Sequence, residues 1–263
     1  MKIARILVPF LFGVGVLALW EMLVRINNVP IFVLPGPWHI GSAFFTHAAS
    51  LMSAFWFTLQ VTLIAFASAA ISGIGLAILF TRSRWIEMTL WPYMVTLQVT
   101  PIVAIAPLIL IWVGFDNTRT ALVIIATIVA FFPILSNTIL GIRSADPNLR
   151  NLFRLYKANW WQTLWRLELA SALPFIISGA KIAGGLALIG AVVAEFAAGS
   201  GTATGLAWRI IEAGNRLQID KMFAALLLLS LLGMGIFYIF SFIGWLCLRH
   251  WHSSELNQDI SHK

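Results

Sequence analysis

Six runs of apolar residues, each long enough to cross a lipid bilayer as a helix, constrain this chain more than any other feature. They cover residues 6–24, 55–80, 88–114, 120–142, 173–196 and 222–248, with charged or turn-rich breaks between them. A helix needs about 20 mostly apolar residues to span the hydrocarbon core. A β-barrel would show segments of about 10 residues that alternate apolar and polar, and these runs do not alternate. Only 10% of the residues are charged, against about 25% in an average soluble domain, and the mean hydropathy is +0.91. Too few charges exist to cover a soluble surface. The expected fold class is all-α: a polytopic membrane protein of about six transmembrane helices, one domain over residues 1–263 with its core spans at about 55–248.

The first run carries a second possibility. Lys2 and Arg5 ahead of an apolar stretch look like a signal peptide, but Trp20-Glu21-Met22 follows where a small-x-small cleavage site would stand. The expectation is an uncleaved first span. Many of the twelve Trp lie at the ends of runs, among them Trp20, Trp85, Trp91, Trp112 and Trp245, as interfacial anchors do.

The formal charge is +7. Its Lys and Arg fall mainly in short loops, so the excess sets orientation and gives no reason to expect nucleic acid as a partner. One set of alternate loops and ends holds eleven: Lys2, Arg5, Arg82, Arg84, Arg143, Arg150, Arg154, Lys157, Arg166, Arg249 and Lys263. The other holds five: Arg25, Arg119, Arg209, Arg216 and Lys221. Both termini are therefore expected in the cytoplasm. The cytoplasmic connection 143–172 is longer than a link needs to be. On the outer side, 27–37 is turn-rich and leads to a short helix before the second span. The outer stretch 197–221 opens with a glycine-rich flexible or re-entrant segment at 199–205 and continues as a short helix over 206–214.

Enzyme signatures are missing: the chain has no H-E-x-x-H, no G-x-S-x-G and no phosphate-binding G-x-x-x-x-G-K-[ST]. The single Cys247 excludes an internal disulfide and a cysteine-based metal cluster. The five histidines lie in loops or the tail; His250 and His252 read better as a solvated tail than as metal ligands. No cofactor and no metal is expected, so an energy source has to come from a partner or an ion gradient. Buried polar groups are the remaining candidates. Lys181 and Glu195 fall within the fifth run, where charge is costly enough to suggest function. Fourteen positions separate them, about 21 Å along a helix, so they cannot pair with each other. Lys181 is close enough to one end to snorkel. Gln98 and Thr100 stand beside Pro101, whose ring kinks a helix and frees a carbonyl; they are candidates for a translocation path, or for plain helix–helix hydrogen bonds. Pro101 and Pro107 are both expected to bend the third span.

The connection 143–172 has its own pattern. Leu149, Leu152, Phe153, Tyr156, Trp160, Leu164 and Leu167 recur at three- and four-residue steps, which predicts one apolar helical stripe. Arg150, Arg154 and Lys157 take a different face. Such a helix either lies on anionic lipid or docks into a groove on a soluble partner, and periodicity alone leaves both open.

Several segments, in order along the chain, resemble one family. They are Val33-Leu34-Pro35-Gly36-Pro37, Thr100-Pro101-Ile102-Val103-Ala104 with Pro107, Phe131-Phe132-Pro133, Arg143-Ser144-Ala145-Asp146-Pro147-Asn148-Leu149, Trp161-Gln162-Thr163-Leu164-Trp165-Arg166, Ala172-Leu173-Pro174-Phe175 and Gly190-Ala191-Val192-Val193-Ala194-Glu195-Phe196. Together they resemble permease subunits of binding-protein-dependent ABC importers, in the nitrate/sulfonate/taurine group, which is also similar to permeases for thiamine precursors and riboflavin. The resemblance implies a type I ABC importer permease fold. It also implies an assembly in the lipid membrane with a second permease subunit, two ABC ATPase subunits and a periplasmic solute-binding protein that carries most of the substrate specificity. ATP hydrolysis would then lie on the partner, and this chain would not be an enzyme. The resemblance further makes 143–172 the ATPase-coupling loop, with Asn151, Leu152, Phe153, Arg154, Tyr156, Lys157, Trp160, Arg166 and Pro174 as its coupling residues. By register Asn151 stands where the motif has Glu, Leu152 and Phe153 where it has two Ala, Lys157 where it has Gly, and Ala170 where it has the first Pro. An ion-coupled secondary transporter using Glu195 or Lys181 is the rival class, and a structural or assembly membrane protein is a third.

The charge count yields a direct expectation. Reporter fusions placed after Lys263 and within 158–163 report cytoplasmic activity; a periplasmic signal from either would reverse the orientation.

Overall fold

The computed structural model describes residues 2–198 and 204–248, the first few as backbone only. The glycine-rich stretch and the tail histidines named above lie outside the described residues or at their margin. The described chain is helical throughout its ordered elements. Helix α1 spans Lys2–Ile26, α2 Pro37–Thr46, and α3 Ala48–Arg82. After a one-residue break α4 runs Arg84–Val99 and α5 Ile102–Val113. A turn of 3-10 helix, Phe115–Asn117, leads into α6, Thr118–Arg143. The connection carries α7, Pro147–Leu155, and α8, Trp160–Thr163, followed by a π-helical stretch Leu164–Glu168 that runs directly into α9, Leu169–Ala198. Helix α10 covers Leu206–Asn215 and α11 Ile219–Leu248.

Five helical segments are long and apolar enough to span a membrane, and the sixth span is a pair, α4 with α5, bent by 104°. The six apolar runs thus correspond to six helical segments, with longer ends than hydropathy alone marks. The third is interrupted at one of its two prolines: Pro101 breaks it, and Pro107 lies inside α5. The reason is local. Thr100 precedes a proline and is driven out of the helical region to ψ 127°, and Pro101 itself is extended at ψ 111°. Two successive extended residues turn the chain, whereas Pro107, once in a helix, removes just one hydrogen bond. At 16 and 12 residues the two arms are about 24 and 18 Å long, so neither alone crosses the ~30 Å core.

Contacts divide the chain into two units. The first holds residues up to Phe57 together with Thr204–Leu231. Here the Glu21 carboxylate, near the end of α1, accepts the backbone N–H of Trp38 at 3.1 Å and so caps α2, while also pairing with Arg25 at 2.6 Å. Gly36 makes this possible, since a Cβ there would stand 2.5 Å from a Glu21 oxygen. Trp20 packs against Phe223 of α11 with ring centroids 6.1 Å apart. In α10, Glu212 gathers Arg209 at 2.7 Å, Arg216 at 3.1 Å and Lys221 at 4.0 Å. The hydrogen bond from Arg209 holds its carboxyl below the usual carboxylate range against the opposing effect of burial, with Lys221 and Arg216 assisting. That pairing is therefore kept down to pH values below the ordinary carboxylate range and is lost only as acid protonates Glu212.

The second unit holds the rest, from Thr58 through α9 and the last part of α11. Its centre is the contact of α6 with α9, built on small residues. A Cβ at Gly141 would lie 2.7 Å from the Cα of Ala172, one at Gly179 2.9 Å from the Pro133 carbonyl oxygen, and one at Gly190 2.8 Å from the Cα of Ala126. Between these points Ala126, Ala130, Ala183, Ala187 and Ala191 are fully buried. Small residues let two backbones approach closely, which is how helices gain packing energy in lipid. Gly184 meets Phe240 and Ile236 of α11, while its neighbour Gly185 has nothing within 4 Å; the Gly-Gly pair is a helix contact on one residue only.

Three side-chain contacts fix the direction of the broken span. Arg143, ending α6, donates to both carboxylate oxygens of Glu87 in the first turn of α4, at 2.6 and 2.7 Å. Arg119, beginning α6, reaches Gln60 in the first half of α3 at 2.9 Å. Thr58, also in that half, meets Glu195 near the end of α9 at 2.7 Å. So α3 and α6 run the same way, α9 runs against them, and α4 starts where α6 ends. The pair α4–α5 must then cross from one side to the other; a re-entrant hairpin would put the end of α6 on the side away from Glu87.

The glycine contacts predict an asymmetric pair of variants. Gly190→Ala forces a methyl group against the α6 backbone at Ala126 and should cost about 1–3 kcal/mol, read as a lower unfolding temperature in detergent. Gly185→Ala, in open space, should be neutral or slightly stabilising through helix propensity. Equal stability of the two would refute the close α6–α9 approach.

Candidate functional site

The connection between α6 and α9 is the most elaborate local structure in the chain. The Asp146 side chain accepts the Asn148 N–H at 2.7 Å and Pro147 opens α7, a helix start that needs no tertiary help. Arg150 donates to the Ile142 carbonyl at 2.6 Å and pairs with Glu168 at 3.5 Å, closing the loop at its base. Helix α7 stops at Leu155, and Lys157 turns the chain in the left-handed region at φ 52°. Lys157 is also the position at which the resembled motif carries Gly, the residue that adopts this conformation without steric cost. Asn159 and Gln162 then form a reciprocal capping box that starts α8.

This corrects the expectation of one continuous apolar stripe. The seven residues at helical spacing are distributed over two helices and a π segment, because the left-handed turn at Lys157 resets the helical phase. Leu164 and Leu167 are buried and hold the loop to the helices beneath it. Trp160 packs edge-on against Trp161, centroids 4.5 Å apart, and receives the Arg82 guanidinium over its ring at 5.5 Å. On α7 and the turn after it Leu149, Leu152, Leu155 and Tyr156 are all exposed, the last by 80%, and Trp161 and Trp165 are exposed further along the loop. Asn151, Arg154 and Lys157 are exposed with them, and Phe153 is half-buried. A cleft of about 350 Å³ lies here, lined by Leu152, Phe153, Tyr156, Ala158, Gln162 and Arg166. Pro174 belongs elsewhere: it sits in α9, beside a smaller recess that shares only Arg166 with the cleft.

The candidates for a translocation path fall in three places. Gln98, Thr100 and Pro101 come together at the break between α4 and α5, along a recess of about 400 Å³ whose other wall includes Val129, Phe132 and Leu186. Thr100 Oγ1 donates to the Thr96 carbonyl at 2.6 Å and Thr96 Oγ1 to that of Pro92 at 2.9 Å, so both hydroxyls are satisfied by carbonyls of the preceding turn of α4, and the Thr96 carbonyl accepts the Thr100 backbone N–H as well. Lys181 is not part of this recess. Its Cε and Nζ lie 3.0 and 3.2 Å from where a Cβ on Gly244 would stand, so the side chain runs along α11 at a glycine. Glu195 is fully buried, its Oε1 accepting the Thr58 hydroxyl.

Sequence reading missed the polar pairings. Glu87 with Arg143 and Glu21 with the α2 N-terminus join different elements, whereas Glu212 meets Arg209 and Arg216 of its own helix and its cap, and Lys221 of α11. The available signal was an acidic residue at the margin of an apolar run, where an unpaired carboxylate is costly.

Comparison with known proteins agrees with this geometry. The family described as "Binding-protein-dependent transport system inner membrane component" matches residues 69–244. A "Probable ABC transporter permease protein" of Haemophilus influenzae is 33% identical over 253 residues, 95% of this chain and 98% of that one. The "Riboflavin transport system permease protein RibX" of Chloroflexus aurantiacus is 33% identical over 240 residues, 90% of this chain and 87% of its own. Among solved structures, the inward-facing MetNI methionine ABC transporter superposes with a TM-score of 0.63 at 19% identity, covering 78% of this chain and 97% of that one; at that identity the likeness concerns the fold. The matched segment takes in the broken span, the α6–α9 pair and the whole exposed loop between them, and the chain belongs to the family of inner-membrane permease components of binding-protein-dependent ABC transporters.

Proposed function

We propose that this permease acts in an importer, with both termini and the α7–α8 loop in the cytoplasm, and that α7 with the turn after it is the surface on which an ABC ATPase subunit docks. The observation that carries this reading is the open α7 face. Exposed Leu149, Leu152, Leu155 and Tyr156 stand beside Arg154 and Lys157 at a cleft, on the side of the chain favoured by eleven cations against five. Six crossings, an even number, agree with both ends lying on one side. Three of the five outer cations, Arg209, Arg216 and Lys221, are gathered by Glu212, which makes the outer surface still less basic than its count. The complex would contain a second permease subunit, two ATPases and a periplasmic solute-binding protein. The substrate would be a small solute of the nitrate/sulfonate/taurine or thiamine-precursor/riboflavin kind.

Docking would depend on fewer anchors than the sequence pattern suggests. Trp160 is engaged by Arg82, and Leu164 and Leu167 are buried, so Phe153, Tyr156 and Leu152 remain, with Arg154, Lys157 and Arg166 around them. Tyr156→Ala and Phe153→Ala should reduce ATPase co-purification by an amount on the order of 2 kcal/mol and abolish uptake, with membrane insertion unchanged. Asn151→Glu should be tolerated. A full yield of ATPase with both aromatic truncations would overturn the assignment and leave the loop as a lipid-surface helix.

The break at Thr100-Pro101 is the proposed conduit wall, because irregular backbone at membrane depth is tolerated where it faces protein or water. Lys181 and Glu195 are read as packing groups in this scheme. Cysteines at Gln98 and Thr100 should react with small water-soluble thiol reagents in at least one of the resting and ATP-loaded states of the complex. Inertness in both would remove them from the pathway.

A further inference from the structure

A further recess in the second unit is lined by neither the α7 cleft residues nor those of the α4–α5 break. It occupies about 580 Å³ at the last turn of α3, the first two turns of α4 and the last turn of α6. These are the ends of three spans, so the recess stands at a membrane–water boundary. We propose that it is a binding site for the phosphodiester headgroup of an anionic phospholipid.

Its chemistry has three parts. The Arg143–Glu87 pair forms one wall, held by two hydrogen bonds. Glu87 is thereby neutralised within the recess, and the Arg143 side chain stays 52% exposed. Arg84, also exposed, stands on the rim. Two guanidiniums and one carboxylate leave one net positive charge, which matches one phosphodiester. Guanidinium groups bind phosphate oxygens by paired charge-assisted hydrogen bonds. Behind this polar lining the surface is apolar: Phe80 is buried, Trp91 packs on it with centroids 6.3 Å apart, and Met88 is 59% exposed beside them. A headgroup at the arginines would thus have its glycerol and first methylenes against Met88 and Trp91, and Trp85, 80% exposed, stands one turn of α4 before Met88. A free phosphate in water would use the arginines and gain nothing from the apolar wall. Basic recesses between the ends of membrane helices are the usual physical form of such headgroup sites.

The test uses the full chain purified in detergent and stripped of lipid. Thermal unfolding and native mass spectrometry would be run with phosphatidylglycerol, with phosphatidylcholine, and with glycerol phosphate alone. Phosphatidylglycerol should be retained and should raise the unfolding temperature more than phosphatidylcholine, in a salt-sensitive manner. Arg84→Ala should lower phosphatidylglycerol retention about ten-fold, the scale of one lost charge-assisted hydrogen bond, and Arg84→Lys should restore part of it. Arg119→Ala, at an exposed arginine at the opposite end of α6, should leave retention unchanged. Equal effects of the two lipids, unaltered retention in Arg84→Ala, or an equal loss in Arg119→Ala would each overturn the site. So would glycerol phosphate reproducing the full stabilisation, which would make the ligand a soluble phosphate. None of these readouts depends on ATPase docking or transport.

Discussion

The approach of α6 to α9 is the contact on which the second unit depends. In lipid there is no water to expel from between helices, so association rests on packing and on hydrogen bonds made across the contact. This chain meets the requirement by removing side chains at successive levels, with Gly141 against Ala172, Gly179 against Pro133 and Asn137, and Gly190 against Ala126. The same device recurs outward, where Gly73 of α3 lies against Ile134, Gly184 of α9 lies against α11, and Gly244 of α11 lies against Ile177 and Lys181 of α9. Once α6 and α9 are this close, the connection between them must leave and re-enter at neighbouring points. Arg150 closes that base by capping α6 and pairing with Glu168, and α7 is projected away with its apolar face uncovered.

Charge inside and at the edge of the membrane is handled by pairing. Glu87 and Arg143 tie the start of α4 to the end of α6, and Glu195 receives the Thr58 hydroxyl from α3. Glu21 spends its charge on the N-terminus of α2, where the helix dipole favours an anion. A carboxylate left without such a partner at these depths would cost several kcal/mol. These groups therefore act as directional links between elements, and they reveal which way each helix runs. That is how the α4–α5 pair is recognised as a crossing despite a 104° bend.

The bend separates two mechanical tasks. The arm α4 is anchored at its first turn by Arg143, and Trp91 packs on Phe80 and Phe132. The arm α5 is entirely apolar in sequence and packs by Ala106, Ile109 and Leu110. Between them Thr100 and Pro101, both in extended conformation, line a recess. The proline drives the preceding threonine out of the helical region, and the hydroxyls of Thr96 and Thr100 are satisfied by carbonyls of the preceding turn.

The number of spans, their approximate limits, the basic excess on alternate loops, the short helices before the second span and after the fifth, and the family were all legible in the order of residues. They rest on local composition: an apolar run of sufficient length must cross, and Asp146-Pro147 or Asn159 with Gln162 starts a helix wherever it stands. What the sequence could not decide were phase and partnership. The three- and four-residue spacing from Leu149 to Leu167 is a genuine helical period, but a left-handed residue at Lys157 costs only one backbone conformation and rotates everything after it. Trp160 and Leu164 therefore turned inward while Tyr156 stayed out. Which of two prolines would break a span depended on whether consecutive residues went extended, and Pro107 lies where the helix could simply absorb it. Lys181 and Glu195 are charges inside an apolar run and carry no sign of their partners, nor do Glu87 and Glu21; only the tertiary structure assigned each its neighbour, because a pairing between residues 56 or 137 positions apart is set by helix packing and leaves no mark on local pattern.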